Sequence, residues 1–224
     1  MTDLLVDIGN TRVKWCYREL GCFYGAGACA SDLANFKDSI LNIIHKKNPD
    51  RIAVSCVLDG NRMAQFKDVL SMLVGVPLIF VDSIMPAVSL LATNYSDYTA
   101  LGVDRYFASA AAFSDASSAV VVVNAGTATT VDSVSVNGIH LGGVIMPGKY
   151  MMLACLGEKI PRLHKPFINK DDLNNSPFQR DTVSCMYRGA MYAWLGGISA
   201  AISAIFERME VRPRIYVTGG MGGY

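Results

Sequence analysis

The sequence predicts an α/β protein made of two similar halves. Two apolar runs, Leu4 to Ile8 and Ala119 to Val123, each lead into a polar turn that contains glycine. The turns read Asp7-Ile8-Gly9-Asn10-Thr11 and Asn124-Ala125-Gly126-Thr127-Ala128. After each turn comes a hairpin, then helices alternating with strands, which is the pattern of an internal duplication. The 224 residues are 51% hydrophobic and 17% charged, with mean hydropathy +0.29, so there is apolar material for a sizeable core and no signature of disorder. No Pro/Gly/Ser-rich linker divides the halves. The expected domains are 1–115 and 116–224.

The elements follow from periodicity and turn chemistry. Leu4 to Ile8 stops at Gly9-Asn10, and Arg12 to Arg18 resumes as a strand, with Gly21 to Gly25 a third. Ser31 is the expected N-cap of a helix whose apolar positions are Leu33, Phe36, Ile40 and Ile44. Ile52 to Val57 is a buried strand, Asn61 to Leu73 a helix and Leu78 to Val81 a short strand. Asp97 to Ser114 is the expected helix joining the halves. Ala119 to Val123 suits a strand buried on both faces. Thr129 to Val136, the turn at Asn137-Gly138 and Ile139 to Ile145 form a hairpin. Helices over Lys149 to Leu156 and Val183 to Phe206 precede a last strand, Ile215 to Thr218, which ends at Gly219-Gly220.

Composition excludes several function classes. Twenty Lys/Arg against 19 Asp/Glu leave a net charge of +1, and no Lys/Arg block exceeds the pair Lys46-Lys47, which disfavours a nucleic-acid binder. Cys16, Cys22, Cys29, Cys56, Cys155 and Cys185 form no CxxC pair, and His45, His140 and His164 lie far apart, so no zinc spacing is present. Buried reduced thiols of a cytoplasmic protein are expected. The start, MTDLLVDIGN, lacks the basic region of a signal peptide. Gly189 to Phe206 carries no charge, yet its Gly, Ala and Ser content favours a buried or interface helix over a membrane span.

The chemistry-bearing residues cluster at the two turns. Glycine lets a backbone approach an anion, and N–H groups with Thr hydroxyls can cradle phosphate. Asp7 could hold magnesium, directly or through water, and Lys14 could neutralise phosphate charge. Two ordinary β-turns with polar tips are the plainer alternative, which equivalent turns in a duplicated chain disfavour. Two other patterns fall short. Gly143 to Lys149 (GVIMPGK) nearly matches a Walker A loop, but Tyr150 replaces the Ser/Thr and Pro147 lacks an N–H. Gly25 to Ala30 (GAGACA) loosely fits a dinucleotide fingerprint but precedes the expected helix start. Asp104 and Arg105 stand in an apolar, Ala-rich segment. They read either as a solvated ion pair at a helix start or as a general base with an anion-fixing arginine.

DIGNTRVK at 7–14, Tyr95 with LGVDR at 101–105, NAGTATTVD at 124–132, GGVIMPG at 142–148 and VTGG at 217–220 occur in that order. Together they resemble the type III pantothenate kinase (Bvg accessory factor-like) family over essentially the whole chain. The resemblance implies the duplicated acetate kinase/sugar kinase/Hsp70/actin (ribonuclease H-like) fold, with an ATP cleft between the halves. It implies transfer of the ATP γ-phosphoryl group to pantothenate, the first step of coenzyme A synthesis. By motif, Asp7, Ile8, Gly9, Asn10, Thr11, Arg12, Val13 and Lys14 would bind ATP, as would Thr127. Asp104 would be the general base, and Tyr95, Gly102, Val103, Asp104, Arg105 and Thr182 would hold pantothenate. A magnesium-type ion at Asp7, a monovalent cation (K⁺ or NH₄⁺) at position 124 and a cytoplasmic homodimer complete what it implies.

The sequence departs from the family at three places. Asn124 stands where Asp is usual, which predicts altered potassium dependence. Tyr98 replaces a common Pro, and Met221 an Asp that often follows the two glycines. The chain ends at Tyr224, where members usually continue through further helix. Two alternatives remain: a kinase of the same fold with another small hydroxyl substrate, or a non-catalytic nucleotide-binding regulatory protein.

Overall fold

The structure, a computed structural model, describes residues 1–81, 90–160, 162–163 and 176–220. It divides into two compact units, residues 1–89 with 95–107, and residues 90–94 with 108–224. His164, Met221 and Tyr224 lie outside the described residues.

The first unit contains β1 (Thr2–Ile8), β2 (Arg12–Glu19), β3 (Cys22–Ala30), α1 (Leu33–Lys46), β4 (Arg51–Cys56), α2 (Gly60–Leu73) and β5 (Leu78–Val81). Its sheet runs β3-β2-β1-β4-β5. β1 pairs antiparallel with β2 and parallel with β4, so its residues face neighbours on both sides. Alternation buries Leu4, Val6 and Ile8 together with Phe36 and Ile40 of α1 and Phe66 and Leu70 of α2. Phe36 and Phe66 meet with ring centroids 4.8 Å apart. Each buried side chain of this size contributes about 1.5–3 kcal/mol.

The second unit contains β6 (Ala92–Thr93), most of α3 (Val103–Ala116), β7 (Val120–Ala125), β8 (Ala128–Val134), β9 (Ile139–Pro147), α4 (Lys149–Lys159), α5 (Thr182–Phe206) and β10 (Arg214–Thr218). Its sheet runs β10-β7-β8-β9-β6. β7 pairs antiparallel with β8 and parallel with β10, which repeats the pairing of β1 with β2 and β4. A four-stranded ladder, β3-β2-β1-β4 and β9-β8-β7-β10, is therefore built twice, as the duplicated turns predict, while the fifth strand lies on opposite edges, β5 beside β4 and β6 beside β9. The Asn137-Gly138 signal closes a tight turn, with Gly138 at φ 73° and its N–H bonded to Ser135 O at 3.0 Å. α5 packs Ile198, Ala201, Ile202 and Ile205 on Val121, Val123 and Val131. Trp194 anchors it by donating from Nε1 to Thr129 Oγ1 at 2.7 Å.

Several boundaries differ from the sequence expectation, each for a local reason. β3 runs to Ala30 and takes in the GAGACA segment, so no nucleotide turn forms there. A Cβ on Gly27 would sit 2.5 Å from the Trp15 ring that lies against this strand. Asp32, not Ser31, caps α1, accepting from Asn35 N at 2.9 Å. The joining helix starts at Val103 rather than Asp97. Asp97 instead caps a single 3-10 turn, Tyr98–Ala100, before Gly102 interrupts the run. Gly189 to Phe206 forms most of α5, but only 11% of that helix's most apolar stretch is buried. One face packs on the sheet, while Tyr192 and Leu195 stand exposed on the other.

Candidate active site

In the first unit the site begins with the double pairing of β1. Lys14 of β2 and Ser55 of β4 both lie directly opposite Asp7. Cross-strand partners share a face, so all three side chains converge. Ser55 Oγ donates to Asp7 Oδ1 at 3.1 Å, and Lys14 Nζ stands 3.7 Å from Oδ2. The Lys14–Asp7 pair is half-exposed and contributes little to stability. Its value lies in presenting a carboxylate and an ammonium at the mouth of the β1–β2 turn.

That turn is Gly9-Asn10-Thr11. Gly9 N donates to Arg12 O at 3.0 Å, and a Cβ on Gly9 would crowd the same carbonyl at 3.1 Å. Ser31 sits behind the turn, its Oγ donating to Gly9 O at 2.7 Å and its N–H to Thr11 O at 2.9 Å. Asn10, Thr11 and Arg12 are exposed, while Ile8 and Val13 are buried beneath them, so these two can offer a ligand only backbone groups.

The expected base lies in this same unit. Asp104 occupies the first turn of α3, half-buried. Burial pushes its carboxyl above the ordinary range, the Asp7 charge pushes the same way, and the Arg105 backbone N–H partly offsets both. A Cβ on Gly102 would lie 2.7 Å from Asp104 Oδ1, so the glycine keeps that oxygen's space clear. Arg105 is only 6% exposed, and its Nη1 donates to Tyr95 Oη at 2.9 Å. It is therefore a seated guanidinium rather than half of a solvated ion pair. Val103 is buried.

The second unit carries the other expected residues. Asn124 lies opposite Thr130, whose buried Oγ1 has no hydrogen-bond partner among the described residues. Gly126 N donates to Asn124 O at 3.1 Å, and Thr127 is exposed at the tip of the turn. Gly148 N donates to Thr127 O at 3.0 Å, and any Cβ there would strike the Gly126 and Thr127 carbonyls. Gly219, at φ 96°, packs on the Ala125 backbone equally closely. The glycines of the last two motifs thus enclose the second turn. Thr182 is the first residue of α5, capped by Asp181. Lys149 is not a phosphate lysine. It is fully buried, donates to Tyr187 Oη at 3.0 Å and lies over the Tyr150 and Tyr187 rings.

Among the described residues no three His, Cys, Asp or Glu side chains group as metal ligands. Sequence reasoning missed Ser55 and Thr130. Ser55 was signalled only as a lone hydroxyl late in an apolar strand, and Thr130 only by its place in the motif.

A family model described as type III pantothenate kinase matches residues 3–204. The type III pantothenate kinase of Marinobacter nauticus is 32% identical over 223 residues, covering 97% of this chain and 86% of its own. That of Hahella chejuensis is 30% identical over 227 residues, covering 98% and 86%. Among solved structures, the ethanolamine utilization protein EutJ of Carboxydothermus hydrogenoformans aligns with TM-score 0.52 at 13% identity, over 98% of this chain and 76% of its own. A Ppx/GppA phosphatase of Aquifex aeolicus aligns with TM-score 0.50 at 12% identity, over 98% and 68%. The structural likeness identifies the actin-like ATPase fold.

The position of Asp104 makes a prediction about stability. Its folded-state pKa is raised, so ionisation weakens the fold as pH climbs from the unfolded value through the folded one. Asp104→Asn should therefore be more stable than the parent at pH 7, and the gap should close as the pH falls through that window. Denaturant midpoints at neutral and acid pH measure it; a gap that does not change with pH would contradict the burial argument.

Proposed function

The chain belongs to the type III pantothenate kinase family, and from that premise we propose how its residues phosphorylate pantothenate with ATP. The observation that carries the reading is the half-buried Asp104 carboxyl in the first turn of α3, its Oδ1 kept clear by Gly102 and followed by the seated Arg105. The primary hydroxyl of pantothenate gives its proton to Asp104 as its oxygen attacks the γ-phosphorus. The bond from that phosphorus to the bridging oxygen breaks, and ADP leaves. Phosphoryl transfer of this kind is mostly positioning and charge neutralisation. Asp7 to Lys14 supply the first phosphate contact and Thr127 the second. Arg105, held by Tyr95, takes the pantothenate carboxylate next to Gly102 and Val103; Thr182 is assigned to pantothenate through its motif.

The donor set suits the expected ions. A single carboxylate, Asp7, with one oxygen fixed by Ser55, matches magnesium that is bound chiefly by substrate phosphates. Bound there, the ion neutralises phosphate charge. The Asn124 amide and the buried Thr130 hydroxyl, which has no partner among the described residues, are neutral oxygen donors of the kind a monovalent cation takes. The exposed apolar face of α5, with Tyr192 and Leu195, is the contact of a homodimer. Of the six cysteines only Cys56 is buried, while Cys22, Cys155 and Cys185 are exposed, contrary to the expectation of buried thiols; a cytoplasmic location is proposed from the family alone.

Purified protein should convert pantothenate to 4′-phosphopantothenate with ATP, and Asp104→Asn should lower kcat by about a hundred- to ten-thousand-fold. Transfer only to other hydroxyl acceptors, or nucleotide binding without turnover, would refute the assignment. Potassium titrations should show weaker activation than in Asn124→Asp; identical curves would remove Asn124 from the cation site. Sedimentation should give twice the 24.2 kDa chain mass, and Leu195→Arg should give monomer. A monomeric parent, or recovery in the membrane fraction, would overturn the reading of α5.

A further inference from the structure

A backbone turn can offer N–H groups to phosphate only if its carbonyl oxygens, which repel phosphate, are satisfied elsewhere. The Gly9-Asn10-Thr11 turn meets this condition through two residues outside every motif. Ser31 takes two of the three carbonyls, Gly9 O through its hydroxyl at 2.7 Å and Thr11 O through its N–H at 2.9 Å. Arg62 reaches from α2, its Nη2 donating to Ser31 O at 3.1 Å and standing 3.5 Å from Asn10 O. The helix start that carries the arginine is fixed, its backbone N–H donating to the α2 cap residue Asp59 at 3.1 Å. All three carbonyls are drawn back toward β3 and α2, and a cation lies behind the turn.

We propose that Ser31 and Arg62 are positioning residues for the nucleotide, forming a carbonyl brace that fixes the amide geometry of the first phosphate turn. This rests on the reading that this turn binds nucleotide phosphate. Loss of either brace member leaves a turn carbonyl free to rotate toward the phosphates. It should weaken nucleotide binding without touching the acceptor side.

The test uses the full chain and a non-hydrolysable ATP analogue with magnesium, measured by calorimetry, alongside steady-state kinetics. Ser31→Ala and Arg62→Ala should each weaken analogue binding about tenfold and raise the KM for ATP in step. The KM for pantothenate should stay put, and amide exchange over residues 9–12 should quicken. Ser31→Thr, which keeps the hydroxyl, should restore the parent values. Unchanged analogue affinity in both alanine variants overturns the brace. So does an equal loss for nucleotide and pantothenate accompanied by a lower unfolding midpoint, since that marks a merely structural role. If the parent binds the analogue but does not phosphorylate pantothenate, the function fails while the variants still decide the brace. A parent that binds no nucleotide overturns both.

Discussion

Carbonyl and phosphate oxygens carry partial charge of the same sign, and the first turn, the proposed phosphate site, has its carbonyls bonded away from its open side. Its amides become useful to an anion only because the carbonyls between them are bonded to the rear. Ser31 makes two of those bonds, and it can do so because β3 runs to Ala30 and delivers the next residue under the turn. Register does the rest. Since β1 is paired on both edges, Asp7 is flanked by Lys14 on one side and Ser55 on the other. Sheet pairing thus sets carboxylate, cation and hydroxyl together before any ligand arrives.

The duplicated ladder in the second unit solves the same problem with different parts. There the carbonyl of Thr127 is taken by Gly148, the residue that caps α4, and the Ala125 backbone is covered by Gly219. Glycine does at the second turn what serine and arginine do at the first: it allows a following segment to lie directly on the turn. One ladder topology therefore tolerates two kinds of support, provided each keeps the strand pairing that aims the turn.

The sequence made the strands and both turns legible, because β-branched runs ending in Gly-containing polar tips have few other readings. Asp104 and Arg105 were visible as charges in an apolar segment, although spacing alone left a solvated ion pair as a live alternative. What stayed hidden depends on tertiary approach. Ser31 looked like a cap, and Asp32 took that role because its carboxylate reaches Asn35 N while the Ser31 hydroxyl is engaged by Gly9. Arg62 gives no local sign that its guanidinium crosses to a turn some fifty residues earlier. The GAGACA segment shows the converse: its glycines serve a tryptophan rather than a nucleotide.

Gly102 has a consequence for how this protein can change over generations. Every amino acid one nucleotide away from a glycine codon carries a Cβ, and a Cβ at this position claims the space of Asp104 Oδ1. Mutation at that codon therefore displaces the carboxylate proposed as the base, although the residue altered is not itself a reacting group. The chain has a short path to a folded but inactive relative there. A protein that kept the fold and lost the chemistry would carry the mark of its history at position 102 before any mark at 104.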